Sequence, residues 1–150
     1  MPAHPPAEIL GIAGIPCEAT EERLGQVVRL DADRVCDALA ALQTVGYDFL
    51  VDLFGTDTGA RIELTYHVRA FATHEDLYVK ALVDYDGEAP SVWRIHPAAL
   101  YPEREAAELL GMSFPGHPNP KRLLTGEGVG PLLRKSELIR SAAEVQLPYE

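Results

Sequence analysis

Residues 62–70 of the chain read IELTYHVRA, the clearest structural pattern in the sequence. Its apolar residues stand at every second position, from Ile62 through Tyr66 to Ala70, with polar residues between them. Successive side chains of a β-strand point to opposite faces, so the alternation predicts a long strand with one buried face. The pattern returns at residues 77–83 after a turn at 73–76, which predicts an antiparallel hairpin.

Patterns on both sides of the hairpin complete the predicted domain. Upstream, helical spacing of apolar residues predicts one helix, formed by Val35, Ala38, Leu39, Leu42 and Val45. Further strands are expected at 26–30, at 47–53 and at 91–95, the second with Tyr47, Phe49, Val51 and Leu53 on one face. A short helix is expected at 103–110, ended by Gly111. The predicted fold is α+β: a mainly antiparallel sheet with one helix packed on it, followed by a short helix and an extended proline-rich C-terminal tail.

The chain is expected to divide into three regions. Residues 1–25 are predicted to be a flexible N-terminal arm, residues 26–112 an α+β core domain, and residues 113–150 an extended interaction tail with a short terminal helix from Ser136. Prolines at positions 115, 118 and 120 disfavour both a helix and a central strand in the tail. We therefore expect its backbone to be completed by water or by a partner protein.

Composition limits the classes of function. The 150 residues carry a formal net charge of −10, with 23 acidic residues against 13 Lys and Arg, which argues against nucleic acid as the main partner. Two cysteines are too few to ligate a cysteine-bound iron–sulfur cluster, and reduced thiols are favoured over a disulfide. Without an apolar run of ~20 residues or a signal-peptide pattern, a soluble and cytoplasmic chain is expected.

Motifs for catalysis or cofactor binding are weak. The five histidines do not cluster as metal ligands, and Arg134 stands where a phosphate-binding loop needs glycine before Lys135 and Ser136. No Gly-x-Ser-x-Gly turn occurs. We expect no catalytic, cofactor-binding or metal-binding residue in this chain. His117, held between Gly116 and Pro118, is expected to bond a neighbouring carbonyl, with proton handling or interface contact as alternatives.

The charged helix leaves two interpretations open. Glu103 and Glu105 fall in its first turn, where the helix dipole favours acidic side chains. They form either a solvated acidic turn or, together with Arg104, ion pairs with Lys121, Arg122 or a partner chain.

Residues 103–118, which read EREAAELLGMSFPGHP, resemble the signature of the C subunit of respiratory complex I, the NADH-quinone oxidoreductase. The run KRLL at 121–124 fits the end of that signature, and GYDFL at 46–50, YHV at 66–68 and PSV at 90–92 match upstream. The resemblance spans roughly residues 30–135. The chain departs from the family pattern at Ala107–Glu108, at Asn119–Pro120 and after Lys135.

The resemblance implies a structural subunit of the hydrophilic arm, peripheral on the cytoplasmic face of the inner membrane. It implies docking on the D-like large subunit near the quinone site, with the cluster-bearing B and I subunits nearby, and no iron–sulfur cluster, flavin or quinone of its own. The residues expected at the interface are Glu103, Arg104, Glu105, Gly111, Gly116, His117, Pro118, Lys121, Arg122, Arg134 and Lys135. Two alternatives remain: the equivalent subunit of a membrane-bound nickel–iron hydrogenase or formate hydrogenlyase, and a stand-alone assembly or binding module.

Overall fold

The computed structural model describes residues 4–137, which form a five-stranded sheet and three α-helices. Two short 3-10 turns, Ala32–Arg34 and Pro97–Ala99, lead into the second and third helices. The elements in chain order are α1 (Pro6–Ile12), β1 (Glu18–Glu22), β2 (Gly25–Arg29), α2 (Val35–Thr44), β3 (Phe49–Asp57), β4 (Ile62–Ala70), β5 (Glu75–Val83) and α3 (Leu100–Leu110).

The strand order in the sheet is β1-β2-β5-β4-β3. Strands β3, β4 and β5 form an antiparallel meander, and β1 pairs antiparallel with β2. Strand β2 runs parallel to β5, because α2 carries the chain from β2 to the far edge before the meander returns. The predicted α+β fold with a mainly antiparallel sheet is confirmed, and the hairpin of residues 62–83 forms as expected.

One face of the sheet carries the hydrophobic core. The alternating residues of β4 (Ile62, Leu64, Tyr66, Val68 and Ala70) and of β5 (Leu77, Val79, Ala81 and Val83) are all buried. They pack with Val35, Ala38, Leu39 and Leu42 of α2, and with Ala106 and Leu110 of α3. Burial of each large aliphatic side chain contributes ~1.5–3 kcal/mol, so this face fixes where the helices pack. Val45, predicted to join the core, is 40% exposed.

The opposite face of the sheet carries several ion pairs. Arg69 forms a two-point ion pair with Asp76, with nitrogen–oxygen distances of 2.8 and 2.9 Å, and His67 bonds the same carboxylate at 2.8 Å. The Arg69 hydrogen bonds, assisted by that of His67 and opposed by partial burial, lower the pKa of Asp76 to about 2. Lys80 pairs with Glu63 at 3.1 Å on the same face. These pairs explain why polar residues alternate with core residues along β4 and β5.

Strand β3 departs from the predicted alternation. A bulge at Val51 breaks the register, since Leu50 lies opposite Val68 and Asp52 lies opposite His67. As a result Phe49 and Val51 are 50% and 41% exposed, whereas they were expected to face the core with Leu53. An inserted residue reverses the faces of the residues that precede it, and a simple period of two does not reveal it.

The N-terminal segment differs from the expected flexible arm. Residues 6–12 form α1, which begins at a proline, and residues 18–22 form β1 at one edge of the sheet. Proline suits the first helical turn, where an amide donor would have no partner. Leu10 and Ile15 are 0% and 2% exposed and join the core, so the sheet begins before the predicted boundary at residue 26.

The strand predicted at 91–95 is wrong. Residues 93–95 form a turn, in which the amides of Ile95 and His96 both bond the carbonyl of Val92. Helix α3 begins at Leu100, three residues before the predicted start at Glu103. The terminal helix predicted from Ser136 lies almost entirely outside the described residues. No helix within residues 4–137 combines the length and the apolar character needed to cross a bilayer.

Candidate interaction site: helix α3 and the tail

Helix α3 lies between the sheet and the tail, defined here as residues 113–137. Buried residues on the helix include Ala106 and Leu110, and also two carboxylates, Glu103 and Glu108. Buried carboxylates need hydrogen-bond donors to remain tolerable inside a protein. Their partners show how α3 organises the segments around it.

Glu103 is completely buried and holds the turn before α3. Its carboxylate accepts a hydrogen bond of 2.5 Å from the Ser91 hydroxyl and one of 2.7 Å from the Val92 amide. Burial raises the pKa of Glu103, and these two hydrogen bonds oppose that rise. The interpretation of Glu103 as part of a solvated acidic turn is therefore wrong.

His117 joins the tail to the start of α3. Its Nδ1 accepts a hydrogen bond of 3.0 Å from the Asn119 amide, so its other ring nitrogen, Nε2, carries the proton. That Nε2 donates to the Leu100 carbonyl at 2.8 Å and lies 3.9 Å from the Glu103 carboxylate. The expected bond from His117 to a neighbouring carbonyl is confirmed.

Arg104 binds the tail through main-chain oxygens. Its Nε donates to the Lys121 carbonyl and its Nη2 to the Arg122 carbonyl, both at 2.7 Å. Its guanidinium also lies 5.8 Å from the centre of the Tyr101 ring. The ion pairs expected between the first turn of α3 and residues 121–122 are not found within residues 4–137. Arg104 uses backbone carbonyls of the tail instead.

Glu108 binds the next residues of the tail. Its carboxylate accepts hydrogen bonds from the amides of Leu123, Leu124 and Thr125 at 3.1, 2.8 and 3.2 Å. Burial opposes ionisation, but these amides together with the Thr125 hydroxyl lower the pKa of Glu108 to about 2. Arg122 adds an ion pair, with its Nε 3.4 Å from the carboxylate. Glu108 is therefore ionised at neutral pH and acts as an anchor.

The side chain of Arg134, in the tail, binds the C-terminal end of α3. Its Nε donates to the Leu110 carbonyl at 2.7 Å, and its Nη2 donates to the Gly111 carbonyl and to Asp86, both at 2.9 Å. A cation satisfies the unpaired carbonyls at the end of a helix and complements its dipole. A Cβ at Gly111 would lie 2.4 Å from Arg134 Nη2, and Gly111 has φ +73°, so this position requires glycine.

Asp57 holds the last described part of the tail. It accepts a hydrogen bond of 2.7 Å from the Lys135 amide, and further bonds from the Tyr85 hydroxyl and the Gly59 amide. These bonds, that of Tyr85 above all, lower the pKa of Asp57. Lys135 thus binds the sheet through its backbone, which leaves its charge at the surface.

The other residues predicted for the interface do not form a single cluster. Glu105 is exposed. The interpretation of a solvated acidic turn therefore holds for Glu105 but not for Glu103. The Gly116 carbonyl accepts a bond of 3.0 Å from the Trp93 indole, and Pro118 is exposed. Lys121 and Arg122 are exposed beside the groove described below.

The structure corrects the expected state of the tail backbone. Arg104 and Glu108 bond the tail backbone at residues 121–125, and the Leu133 amide bonds the Leu109 carbonyl, so these backbone groups are satisfied within the chain itself. Glu108 was missed as an anchor from the sequence. A carboxylate in the last turns of a helix opposes the helix dipole, and this misplaced charge is the signal that could have identified it.

A cavity of about 440 Å³ opens between α3 and residues 112–122, and we call it the α3 groove. Within residues 4–137 no group of three or more His, Cys, Asp or Glu side chains could hold a metal ion. The site consists of hydrogen-bond anchors between α3 and the tail, with the groove beside them.

Comparison with known proteins identifies the family. Residues 27–141 match the family described as "Respiratory-chain NADH dehydrogenase, 30 Kd subunit". The chain belongs to this family. The matched region of this 30 Kd family member runs from β2 through β5 and α3 into the tail.

Relatives in several bacteria share one name, the C subunit of NADH-quinone oxidoreductase. That of Moorella thermoacetica is 41% identical over 108 residues, covering 66% of this chain and 73% of the relative. That of Phenylobacterium zucineum is 35% identical over 124 residues, covering 79% of this chain. The match spans 59% of the length of the Phenylobacterium protein, so the chain corresponds to only part of some relatives.

Solved structures show the same fold. A trypsin-resistant fragment of Nqo5 superposes with a TM-score of 0.64 and 26% identity, covering 75% of this chain and 96% of the fragment. A chain of the membrane-bound sulfane sulfur reductase, an archaeal respiratory membrane complex, superposes with a TM-score of 0.65 and 26% identity, covering 73% and 68%.

Proposed function

We propose that this member of the 30 Kd family is a non-catalytic structural subunit of the hydrophilic arm of a complex I-type NADH:quinone oxidoreductase. The observation that carries the proposal is the family match over residues 27–141, which includes strands β2 to β5, α3 and the anchored tail. Relatives that share 35–41% identity bear the name of the C subunit of NADH-quinone oxidoreductase. In this role the chain contributes to electron transfer as part of the complex, without catalytic residues of its own.

The proposed docking surface is formed by α3 and the tail. It would contact a D-like large subunit near the quinone site, with the cluster-bearing B and I subunits nearby. The physical support is that internal bonds hold the tail from one side, through Arg104, Glu108 and Arg134. The tail also exposes apolar side chains, among them Leu124, Leu132 and Leu133 at 62%, 49% and 58%. A surface fixed in advance loses less entropy on binding than a mobile segment does.

Cofactors are proposed to lie in the partner subunits. Iron–sulfur clusters, flavin and quinone would be bound there, and this chain would reach the cytoplasmic face of the inner membrane through its partners. Two cysteines in 150 residues support this division, because a cysteine-bound cluster takes four thiolates.

A second candidate function is the equivalent subunit of a related membrane complex. The likeness to a chain of the sulfane sulfur reductase complex favours it, because one chain of that respiratory membrane complex has the same fold. Membrane-bound nickel–iron hydrogenase and formate hydrogenlyase belong to the same alternative, and a stand-alone binding module is the third alternative. In each of the proposed complexes the electron donor would bind to another subunit, so this chain alone does not distinguish the alternatives. The identities of the co-purifying subunits do.

The test is affinity purification of a tagged full-length chain from detergent-solubilised membranes. We expect mass spectrometry to find a large subunit of the D type and cluster-bearing subunits, with NADH:quinone activity in the purified fraction. Deletion of the chain should abolish assembly of that fraction. A chain recovered alone from native extract, with NADH:quinone activity unaffected by its deletion, would refute the proposal.

The docking surface has its own test within the same preparation. Arg104→Ala removes the bonds to the Lys121 and Arg122 carbonyls and should lower the recovery of partner subunits. The matched control is Arg34→Ala, which removes an exposed pair with Asp37 on α2. Equal recovery from both variants would contradict docking through the tail.

A further inference from the structure

The α3 groove has an apolar floor. Ala107 of α3 lines it with Met112 and Phe114, which are 7% and 6% exposed. Pro115 and Pro120 also line the groove, and neither proline has a backbone amide to donate. The volume of about 440 Å³ is in the range of pockets that take a few side chains of a bound ligand.

The mouth of the groove is cationic. Arg104, Lys121 and Arg122 line it together with Glu103 and Glu108. The two carboxylates are 0% and 3% exposed and face internal donors, so the accessible charges at this site are positive. These cations contrast with the chain as a whole, which has a net formal charge of −10.

Lys121 is the cation best placed to meet a partner. It is exposed, and it contributes its main-chain carbonyl to the bond with Arg104. The guanidinium of Arg122 instead donates hydrogen bonds to the Thr125 hydroxyl and the Val129 carbonyl within the tail. The side chain of Lys121 can therefore be changed while the backbone anchor of the tail is kept.

We infer that the α3 groove binds a segment of a partner protein in which an acidic residue stands next to apolar residues. The carboxylate of the segment meets Lys121 and Arg104, and its apolar neighbours enter against Met112 and Phe114. Charge complementarity of this kind steers encounter and fixes the register of the bound segment. The inference rests on the proposed function, since it takes the partner to be another subunit of the same complex.

The first experiment identifies the occupant directly. A photo-cross-linking residue, p-benzoylphenylalanine, replaces Pro120, which lines the groove and is exposed, so that Lys121 is kept in the tagged chain, and the assembled complex is irradiated before purification. We expect the cross-linked peptide, read by mass spectrometry, to belong to another subunit and to contain Asp or Glu beside apolar residues. The matched control carries the same residue at Arg23, which is exposed in the turn between β1 and β2. A cross-link at position 120 to a basic or uncharged segment, to lipid or to this chain itself overturns the inference, as does no cross-link.

The second experiment tests the sign of the charge. Lys121→Glu should weaken retention of partner subunits on the tagged chain on the order of tenfold, and Lys121→Gln should weaken it less. High salt should narrow the difference between wild type and Lys121→Gln, because exposed charges are screened. Arg23→Glu makes the same charge change away from the groove and should leave retention unchanged.

The outcomes separate the inference from the proposed function. If the tagged chain recovers no multisubunit complex, both are overturned. If it recovers the complex, but Lys121→Glu and Arg23→Glu retain partners equally, only the inference about the groove is overturned.

Discussion

Replacing the buried carboxylate of Glu103 should destabilise the domain. Glu103→Ala leaves the Ser91 hydroxyl and the Val92 amide without their acceptor. Each buried donor left unsatisfied costs ~1–3 kcal/mol. Burial disfavours the charged carboxylate, which is why the pKa of Glu103 is raised. Glu103→Ala removes this unfavourable burial, and the gain offsets part of the stability lost with the hydrogen bonds. We expect a net decrease in the free energy of unfolding of about 3 kcal/mol.

Glu103→Gln separates the hydrogen bonds from the charge. The amide oxygen of Gln can accept from Val92, and its NH₂ group can donate to the Ser91 oxygen. We therefore expect Glu103→Gln to cost less than ~1 kcal/mol at neutral pH. The exposed neighbour gives a second control, since Glu105→Ala on the same helix should change stability by less than ~0.5 kcal/mol.

The pH dependence of this difference has a definite sign. The pKa of Glu103 is raised in the folded state, so the folded chain binds this proton more tightly than the unfolded chain. Its contribution to stability is greatest below the ordinary Glu pKa and declines as pH rises through that value toward the folded pKa. Wild type should therefore gain stability relative to Glu103→Gln as the pH is lowered from neutral.

Urea-induced unfolding of the full chain is the measurement. Trp93 is the sole tryptophan, and its indole bonds the Gly116 carbonyl, so its fluorescence reports the region that Glu103 organises. Glu103→Ala within ~0.5 kcal/mol of wild type would refute the reasoning. A difference between wild type and Glu103→Gln that moves in the opposite direction with pH would refute the assigned cause of the pKa rise.

Three further predictions concern the packing around α3. Gly111→Ala should lower stability by at least ~1–2 kcal/mol in thermal unfolding, because φ is +73° and Arg134 would be displaced, whereas Gly126→Ala should be nearly neutral. Tyr66→Phe should leave stability unchanged or slightly higher in urea, because the buried Tyr66 hydroxyl has no hydrogen-bond partner within residues 4–137; a clear loss would reveal one. Glu108→Gln should speed amide hydrogen exchange at residues 123–125, measured by mass spectrometry at neutral pH, and unchanged exchange would show that Glu108 is not the anchor.

The sequence predicts the central hairpin well, because period-two patterns are local. All the alternating apolar residues of 62–70 and 77–83 are buried on one face, as expected. It predicts β3 poorly, since the bulge at Val51 changes which residues face the core. The strand expected at 91–95 is instead a turn, and residues 87–91 bond residues 113–115 across a gap of more than twenty positions. Such pairing depends on where α3 places the chain.

Local pattern therefore indicated the fold class, the hairpin and the helix α2, and the resemblance of residues 103–118 to a known signature indicated the family. Its charged residues were visible in the sequence, but their roles were decided by tertiary structure. Glu103 and Glu108 are two acids on one helix, and only folding shows that one holds the turn at 91–92 while the other holds residues 123–125. A sequence records the charge of a side chain, whereas its partners depend on distances between segments that the chain brings together only when it folds.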